Sequence, residues 1–278
     1  MDSLVSTEWL ARELGSGDIR IVDASYHLGS AGRDAAADYA AGHIPGAVFL
    51  SLGTLVDAAS PVENTVPPAD FFAARVGDLG IGANDRIVLY DDSAIRSAAR
   101  AWYLFHLFGA RKVAILDGGL GKWNAEGRPL ASGVEHVTPR HFAALPAPGR
   151  LRSKADVLDN IASKAEQLVD ARGAARFTGE EADPRPGIDL GHIPGACNVS
   201  FGLLYNPDGT FKDKAGLEAA FASAGIDLAR PIITSCGSGV TACVLAFALH
   251  QLGKNDVALY DGSWTEWGGD PATPKALG

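Results

Sequence analysis

The sequence predicts an α/β fold made of two tandem domains, each a mainly parallel sheet flanked by helices. The 278-residue chain repeats one long segment, and strand-like runs alternate with helix-like runs inside each copy. The length fits one or two domains of roughly 100–200 residues each. The hydrophobic share of 47% is enough to bury a core in each copy. Two copies of one unit therefore predict two domains.

The repeat is clearest in the phrase GHIPGA, which spans residues 42–47 and again 191–196. About 20 residues before each GHIPGA phrase lies an apolar run that ends in Asp-Ala, at 19–24 and at 167–171. Agreement of these phrases, and of the five residue pairs that follow, predicts a tandem duplication and not an array of small repeats. Downstream, identical residues lie at a constant offset of 144, namely Arg86 and Arg230, His106 and His250, Gly109 and Gly253, Asp117 and Asp261, and Trp123 and Trp267.

The boundary between the domains is expected where the composition changes. Residues 128–153 are rich in Pro, Gly and Ser and lack a sustained apolar period. We predict a first domain over 1–133, a linker over 134–153 that wraps against the domains, and a second domain over 154–278.

The elements of each copy follow a strand-then-helix order. In the first copy, IRIVDA predicts a buried strand and AAADYAA predicts a helix. In the second copy, LVDA, PIITS and DVALYDG predict strands, whereas LEAAFASAG and VTACVLAFALHQLG predict helices that end at glycines. This order predicts parallel sheets, in which ligands bind at the carboxyl ends of the strands.

Charge and cysteine content exclude several classes of protein. Lys and Arg number 24 against 33 Asp and Glu, a net charge of −9 that argues against nucleic-acid or anionic-membrane partners. No apolar stretch approaches the ~18 residues of a membrane span, and the start lacks a signal pattern. Three cysteines do not make a disulfide framework, so we expect a cytoplasmic protein. Without a Cys-x2-Cys pair or a Cys/His cluster, we expect no metal site.

Cys236 is the candidate nucleophile. It follows the strand PIITS and opens the loop CGSGVTA, and we expect a helix to begin around Val240–Thr241. Small residues let backbone N–H groups form an anion-binding nest, and the positive end of the helix points to the same place. The loop is therefore suited to a negatively charged sulfur.

The other two cysteines are interpreted as packing residues. Cys243 lies in an apolar helical run, and Cys197 follows HIPGA in an apolar strand. In the first copy, the position of Cys236 is occupied by Asp92, whose charge would repel an anion. We therefore predict one active site per chain and a catalytically inactive first domain.

Two mechanisms use a cysteine at the base of such a loop. A phosphatase of the Cys-x5-Arg type needs an arginine six residues after the cysteine, where this chain has Ala242. Alternatively, the thiolate attacks a sulfane sulfur and keeps it as a persulfide, which requires no arginine within the loop.

The two copies resemble rhodanese domains, and the whole chain is similar to the tandem-domain sulfurtransferases. The resemblance rests on GHIPGA in both halves, on LDGGLGKW and YDGSWTEW, and on CGSGVTA. Family members that use thiosulfate carry basic residues after the cysteine, whereas this neutral loop is similar to that of the 3-mercaptopyruvate sulfurtransferases. The resemblance thus implies 3-mercaptopyruvate as the sulfur donor and pyruvate as the first product.

The resemblance also implies the residues that bind the donor. Arg176 and Arg185 match the arginines that hold the carboxylate and the keto oxygen, while Gly237, Gly239, Val240 and Thr241 complete the binding loop. Arg172 is interpreted as structural, paired with a nearby carboxylate.

The first domain resembles the family segment that faces the active loop. Asp34 and His43 are therefore candidates for proton transfer, with Ser238 as a relay. A structural role for His43 stays open, because its twin His192 sits in the same repeated phrase. The repeated tryptophans are expected to pack in the core.

The sequence therefore predicts a ping-pong sulfurtransferase with Cys236 as its nucleophile. The sulfur passes to cyanide or a thiol, such as thioredoxin or a low-molecular-weight thiol, and no cofactor is expected. Two alternatives stay open: a thiosulfate:cyanide sulfurtransferase, and a slow persulfide carrier or interaction protein.

Overall fold

The computed structural model describes all residues from 1 to 278. They form two compact units, which confirms the predicted pair of α/β domains. Neither unit is continuous in sequence, because each contains a short segment from the other half of the chain. Unit 1 comprises Met1–Val56, Val66–Ala147 and Asn206–Phe211, and unit 2 comprises Asp57–Thr65, Pro148–Tyr205 and Lys212–Gly278.

Unit 1 contains a five-stranded parallel sheet with strand order β1-β5-β4-β2-β3. The strands are β1 (Leu4–Val5), β2 (Ile19–Asp23), β3 (Ala47–Phe49), β4 (Arg86–Tyr90) and β5 (Val113–Leu116). Its helices are α1 (Thr7–Glu13), α2 (Ala35–Ala41), α3 (Ala69–Asp78), α4 (Ala98–Leu107) and α5 (Gly119–Ala125), with 3₁₀ turns at Gly29–Ala31 and Leu52–Thr54.

Unit 2 repeats this topology with strand order β6-β10-β9-β7-β8, again all parallel. The strands are β6 (Leu151–Arg152), β7 (Gln167–Asp170), β8 (Cys197–Asn198), β9 (Ile232–Ser235) and β10 (Val257–Tyr260). The helices are α6 (Lys154–Ser163), α7 (Ala174–Thr178), α8 (Lys214–Ser223), α9 (Ala242–Gln251) and α10 (Ser263–Gly268), with a 3₁₀ turn at Phe201–Leu204. The identical strand order confirms the tandem duplication.

The predicted elements are found, with differences at their ends. Helix α8 begins at Lys214, before the predicted apolar run, because the Asp213 side chain caps it by accepting from the Gly216 N–H. It ends at Ser223, and the positive φ of +72° at Gly225 follows this end. Helix α9 begins at Ala242, slightly later than predicted.

Each unit has its own apolar core, and one of the repeated tryptophans belongs to each core. Trp123 in unit 1 and Trp267 in unit 2 are fully buried, as predicted. Each indole N–H donates to a proline carbonyl downstream, Trp123 to Pro129 at 2.8 Å and Trp267 to Pro274 at 2.7 Å. Burial of the rings is therefore compatible with a satisfied polar group.

The predicted linker divides between the two units. Its first part packs on unit 1, where Phe142 is buried and the Arg140 N–H donates to the Gly77 carbonyl at 2.9 Å. Its last residues form β6, an edge strand that pairs with β10. The second compact unit therefore begins earlier than the predicted boundary at 154, because pairing with β10 satisfies the backbone of residues that lack an apolar pattern.

No helix of the structure has the length and apolar character needed to cross a membrane.

Candidate active site

The loop that carries Cys236 joins the end of β9 to the start of α9. It lies at the carboxyl end of a central strand of the parallel sheet, where such folds place their ligands. Residues 236–240 are all buried, and Cys236 is only 1% exposed. The sequence prediction of a strand–loop–helix unit around this cysteine is therefore confirmed.

Hydrogen bonds from the start of α10 fix the base of the loop. The Cys236 N–H donates to the Ser263 hydroxyl at 3.1 Å, and the Cys236 carbonyl accepts from the Trp264 N–H at 2.9 Å. The Gly237 carbonyl accepts from both the backbone N–H and the hydroxyl of Thr265, each at 2.8 Å. Two adjacent residues of the loop are thus held by three successive residues of one helix.

The rest of the loop offers backbone donors. The N–H groups of Gly237, Ser238, Val240 and Thr241 have no acceptor within the chain. Gly239 has a positive φ of +77°, which a residue with a side chain rarely adopts. Free N–H donors at the start of a ten-residue helix stabilise negative charge.

Arg185 lies directly against this loop. A Cβ atom placed on Gly237 would be only 2.6 Å from Arg185 Nη2, so a larger residue at Gly237 would require Arg185 to move. Arg185 Nη1 also donates to the Thr265 hydroxyl, the same group that bonds to the Gly237 carbonyl. The structure therefore brings together the predicted nucleophile loop and one of the two predicted arginines.

A buried carboxylate, Asp183, orients this arginine. Asp183 accepts from Arg185 Nε at 2.7 Å and from Nη2 at 3.0 Å, and its side chain is 1% exposed. Burial by itself would raise the pKa of Asp183, but the hydrogen bonds from Arg185 and the nearby charges of Arg185 and Arg176 outweigh it and lower that pKa. Asp183 is thus held as a carboxylate that fixes the guanidinium plane.

Arg176 and Arg172 occupy different environments. Arg176 lies half-buried in α7 and interacts electrostatically with Asp183. Arg172 is 2% exposed, binds Asp170 at 2.8 Å and lies over the Trp264 ring at 4.5 Å from its centroid. The prediction that Arg172 pairs with a nearby carboxylate is confirmed.

The repeated histidines have matching contacts in the two units. His43 is fully buried, and its Nδ1 lies 2.9 Å from the Tyr39 carbonyl oxygen while its ring stacks on Tyr39. His192 Nδ1 lies 2.9 Å from the Phe177 carbonyl oxygen, and its ring stacks on Phe177. These contacts are typical of residues that hold a turn against a helix, and a catalytic part for His43 stays a prediction.

Asp34 is an exposed residue of unit 1 that caps α2. Its carboxylate accepts from the N–H groups of Ala36 and Ala37. It also lines a cavity of about 390 Å³ together with His27, Arg33 and other residues of unit 1. Its predicted part in proton transfer, like that of Ser238, stays a prediction.

The sequence match of Cys236 with Asp92 is wrong by one residue, because Tyr90 pairs with Asp23 as Ser235 pairs with Asp170, which sets Asp91 at the position of Cys236. The Asp91 carbonyl accepts from the Leu120 N–H at 3.1 Å, as the Cys236 carbonyl accepts from the Trp264 N–H at 2.9 Å. Asp92 is the next residue of the loop. Its carboxylate accepts from Arg33 Nη2 at 2.7 Å and therefore already has a cationic partner. All three cysteines are free thiols. Cys243 is fully buried in α9, where its thiol contacts the Gly239 carbonyl at 3.2 Å, and Cys197 is half-buried in β8.

Sequence reasoning missed four residues around the loop. Asp183 stands two residues before Arg185, and this spacing is a local signal that was available. Ser263 and Thr265 lie in the repeated YDGSWTEW phrase, for which the sequence predicts a strand end and the packing of Trp267 but no role for these two residues. Glu63, which contacts Arg185 Nη1 at 2.8 Å, belongs to the first half of the chain and no local pattern points to it.

The chain has two α/β units whose parallel sheets share one strand order, and one unit carries a cysteine loop with free backbone N–H donors. These features define a tandem rhodanese-like protein. The rhodanese-like domain family matches residues 6–126 and 153–270, and the chain belongs to this family.

Relatives of this chain fall on both sides of the predicted choice of sulfur donor. The chain is 39% identical to 3-mercaptopyruvate sulfurtransferase of Mus musculus over 271 residues, which cover 95% of this chain and 91% of the relative. It is 40% identical to thiosulfate sulfurtransferase of Cricetulus griseus over 272 residues, with the same coverage. Among solved structures, SseA from Escherichia coli, a 3-mercaptopyruvate sulfotransferase, matches with a TM-score of 0.87 and 38% identity, covering 95% of this chain and 99% of SseA.

Proposed function

We propose that this protein is a 3-mercaptopyruvate sulfurtransferase that works through a persulfide on Cys236. The observation that carries the proposal is the position of Arg185 against Gly237, next to Cys236. It places a planar cation suited to a carboxylate beside the predicted nucleophile. Similarity to relatives with this activity supports the same choice.

The proposed first half-reaction moves one sulfur atom. Arg185 and Arg176 hold the carboxylate and keto oxygen of the donor, and the Cys236 thiolate attacks the donor sulfur. A sulfur–sulfur bond forms while the carbon–sulfur bond breaks, and its electron pair stays on carbon as the pyruvate enolate. A proton then converts the enolate to pyruvate, and the loop donors stabilise the persulfide anion left on Cys236.

In the second half-reaction an acceptor takes the outer sulfur. A thiolate, or cyanide, attacks that sulfur, and the sulfur–sulfur bond breaks to return the Cys236 thiolate. We propose thioredoxin or a low-molecular-weight thiol as the acceptor in a cytoplasmic setting. The three free thiols support the cytoplasmic setting, because free thiols persist in a reducing compartment.

The proton for the enolate is assigned to the residues predicted for its transfer. Ser238 belongs to the loop itself and is 8% exposed, whereas Asp34 and His43 belong to unit 1. All three residues are candidates for this step.

Replacement of the nucleophile tests the mechanism. We expect Cys236→Ser to abolish pyruvate release from 3-mercaptopyruvate, because a serine hydroxyl does not form a persulfide. A mass spectrum of the wild-type protein after addition of the donor should show a gain of one sulfur on the peptide that contains Cys236. Cys243→Ser is the matched control and should retain the mass gain. Pyruvate release by Cys236→Ser at the wild-type rate would contradict the mechanism.

Thiosulfate is the second candidate donor, and the relative named thiosulfate sulfurtransferase favours it. Thiosulfate is a dianion, while the loop from Gly237 to Thr241 contains no basic side chain. We therefore expect kcat/KM to be higher for 3-mercaptopyruvate than for thiosulfate. The reverse order would make thiosulfate the donor, and a single slow turnover with either donor would indicate a persulfide carrier.

A further inference from the structure

Arg185 binds a second carboxylate, that of Glu63, in addition to Asp183, although Asp183 alone can fix the orientation of the guanidinium. Its Nη1 donates to Glu63 Oε1 at 2.8 Å, and the Glu63 side chain is 50% exposed. Asp183, in contrast, is 1% exposed and engages Nε and Nη2 together. Asp183 therefore suffices to fix the plane of the guanidinium, and Glu63 adds an exposed negative charge at another edge.

The donor inventory of Arg185 shows what this contact occupies. A guanidinium carries five N–H donors. Asp183 takes the N–H of Nε and one of Nη2, while Glu63 and Thr265 are the acceptors of Nη1. One N–H of Nη2, the nitrogen nearest to Gly237, is left without an acceptor.

A carboxylate that binds a guanidinium through two parallel hydrogen bonds needs two adjacent nitrogens. Asp183 already occupies the edge formed by Nε and Nη2, so an incoming carboxylate has only the edge formed by Nη1 and Nη2. One of the acceptors on Nη1 must then leave. The Thr265 hydroxyl also donates to the Gly237 carbonyl at 2.8 Å, whereas the Glu63 side chain is half exposed and its one hydrogen bond is that with Arg185.

We infer that Glu63 is a displaceable carboxylate that competes with the sulfur donor for Arg185 and so sets the affinity of the site for its substrate. This inference rests on the proposed function, because it takes the donor to be an anion bound by Arg185. Glu63 is held in unit 2 by the segment Asp57–Thr65, although its sequence lies in the first half of the chain. The first half of the chain thereby supplies a residue that adjusts the substrate affinity of a site in the second half.

The test is a substitution that removes the competing charge and keeps the size of the side chain. We expect Glu63→Gln to lower KM for 3-mercaptopyruvate about 2- to 5-fold, which corresponds to the usual strength of an exposed ion pair. The rate constant kcat should change less than about twofold, since bound donor has already displaced Glu63.

Asp57→Asn is the matched control. It removes one negative charge from the same segment, where Asp57 caps a turn by accepting from the Ala59 N–H at 2.9 Å. KM for 3-mercaptopyruvate should stay at the wild-type value in this variant. An equal fall in KM for both variants would mean that general charge, and not displacement from Arg185, is responsible, and would overturn the inference.

A binding measurement separates this inference from the proposed function. Pyruvate and thiosulfate are titrated by calorimetry into Cys236→Ser with and without Glu63→Gln, so that no turnover occurs. Tighter binding of either anion after loss of Glu63 supports the inference, and unchanged or weaker binding of both overturns it. Failure of the wild-type protein to release pyruvate from 3-mercaptopyruvate would instead overturn the proposed function. In that case, tighter thiosulfate binding after Glu63→Gln would still support competition between Glu63 and an anion for Arg185.

Discussion

At one loop position a single side chain distinguishes the two units. Unit 2 has Cys236, whereas unit 1 has Asp91 at the equivalent place, followed by Asp92, which is paired with Arg33 at 2.7 Å. The neighbouring Asp91 is buried, and burial raises its pKa to about 6 although the N–H groups of Ser93 and Ala98 donate to it. The first unit thus has carboxylates at the matching place, and a negatively charged sulfur would be repelled there, which supports the prediction that this unit is catalytically inactive.

Arg185→Lys tests the binding role of the guanidinium. A lysine keeps the charge but loses the planar pair of donors, and it leaves one oxygen of the buried Asp183 without its partner. We expect kcat/KM for 3-mercaptopyruvate to fall about 10- to 100-fold, in line with the loss of a charge-assisted hydrogen bond. Arg152→Lys makes the same change at a bidentate pair with Glu166 and should leave kcat/KM unchanged. Equal losses in the two variants would contradict a role for Arg185 in binding.

At the scale of elements, the repeated GHIPGA turns hold equivalent helices. The Nδ1 atom of each histidine lies 2.9 Å from a carbonyl oxygen of the preceding helix. His43 contacts the Tyr39 carbonyl and His192 contacts the Phe177 carbonyl. The same residues form isolated bridges with Ala131 and Ala276. One sequence phrase thus produces one set of contacts twice, as a duplicated fold requires.

The end of α5 provides a pH-dependent contribution to stability. Glu126 accepts from Lys122 Nζ at 2.8 Å and from the Thr7 hydroxyl at 2.6 Å, and with Arg128 these groups lower its pKa from 4.5 to about 2. A lowered pKa means that the stabilisation is present above pH 4.5 and is lost as pH falls towards 2. We expect Glu126→Gln to lower the free energy of unfolding by about 1 kcal/mol at pH 7, a value kept small by solvent screening.

Thermal melts across this pH range provide the measurement. The difference in Tm between the wild type and Glu126→Gln should shrink as pH falls from 4.5 towards 2. Glu218→Gln, at an exposed carboxyl of α8, is the control and should show no such trend. A Tm difference for Glu126→Gln that is constant with pH would show that the carboxylate charge is not the cause.

At the scale of the whole molecule, both units depend on segments outside their own repeat. Unit 1 includes Asn206–Phe211, where the Phe211 N–H donates to the Asp117 carboxylate at 2.8 Å. Unit 2 includes Asp57–Thr65, which carries Glu63 to Arg185. Loop segments far apart in sequence therefore complete each compact unit, and cutting the chain into contiguous halves would remove them.

The wrapped segment after the first repeat is expected to stabilise unit 1. Phe142 is 2% exposed and packs edge-on against Phe72 and Phe105. Phe142→Ala should lower the free energy of unfolding by about 3–5 kcal/mol, because it leaves a cavity among aromatic rings. Leu145→Ala, at a side chain that is 71% exposed, should change it by less than about 0.5 kcal/mol. Urea unfolding measures both, and similar effects of the two substitutions would mean that the segment is not packed as described.

The sequence by itself determined the duplication, the parallel α/β fold and the loop of Cys236. Each of these rests on local information: a repeated phrase, the period of apolar residues, or a run of small residues between a strand and a helix. The fully buried position of Trp267 and the strand–loop–helix unit around Cys236 follow from such local patterns.

Only the tertiary structure decided which distant side chains meet. Arg185 and Gly237 are 52 residues apart, and Arg185 and Glu63 are 122 residues apart, yet each pair is in contact. Apolar periodicity reports which face of an element is buried, but it carries no information on the partner of a surface carboxylate. Such partners are fixed only when the strands of a unit assemble into its sheet and the loops of that unit come together.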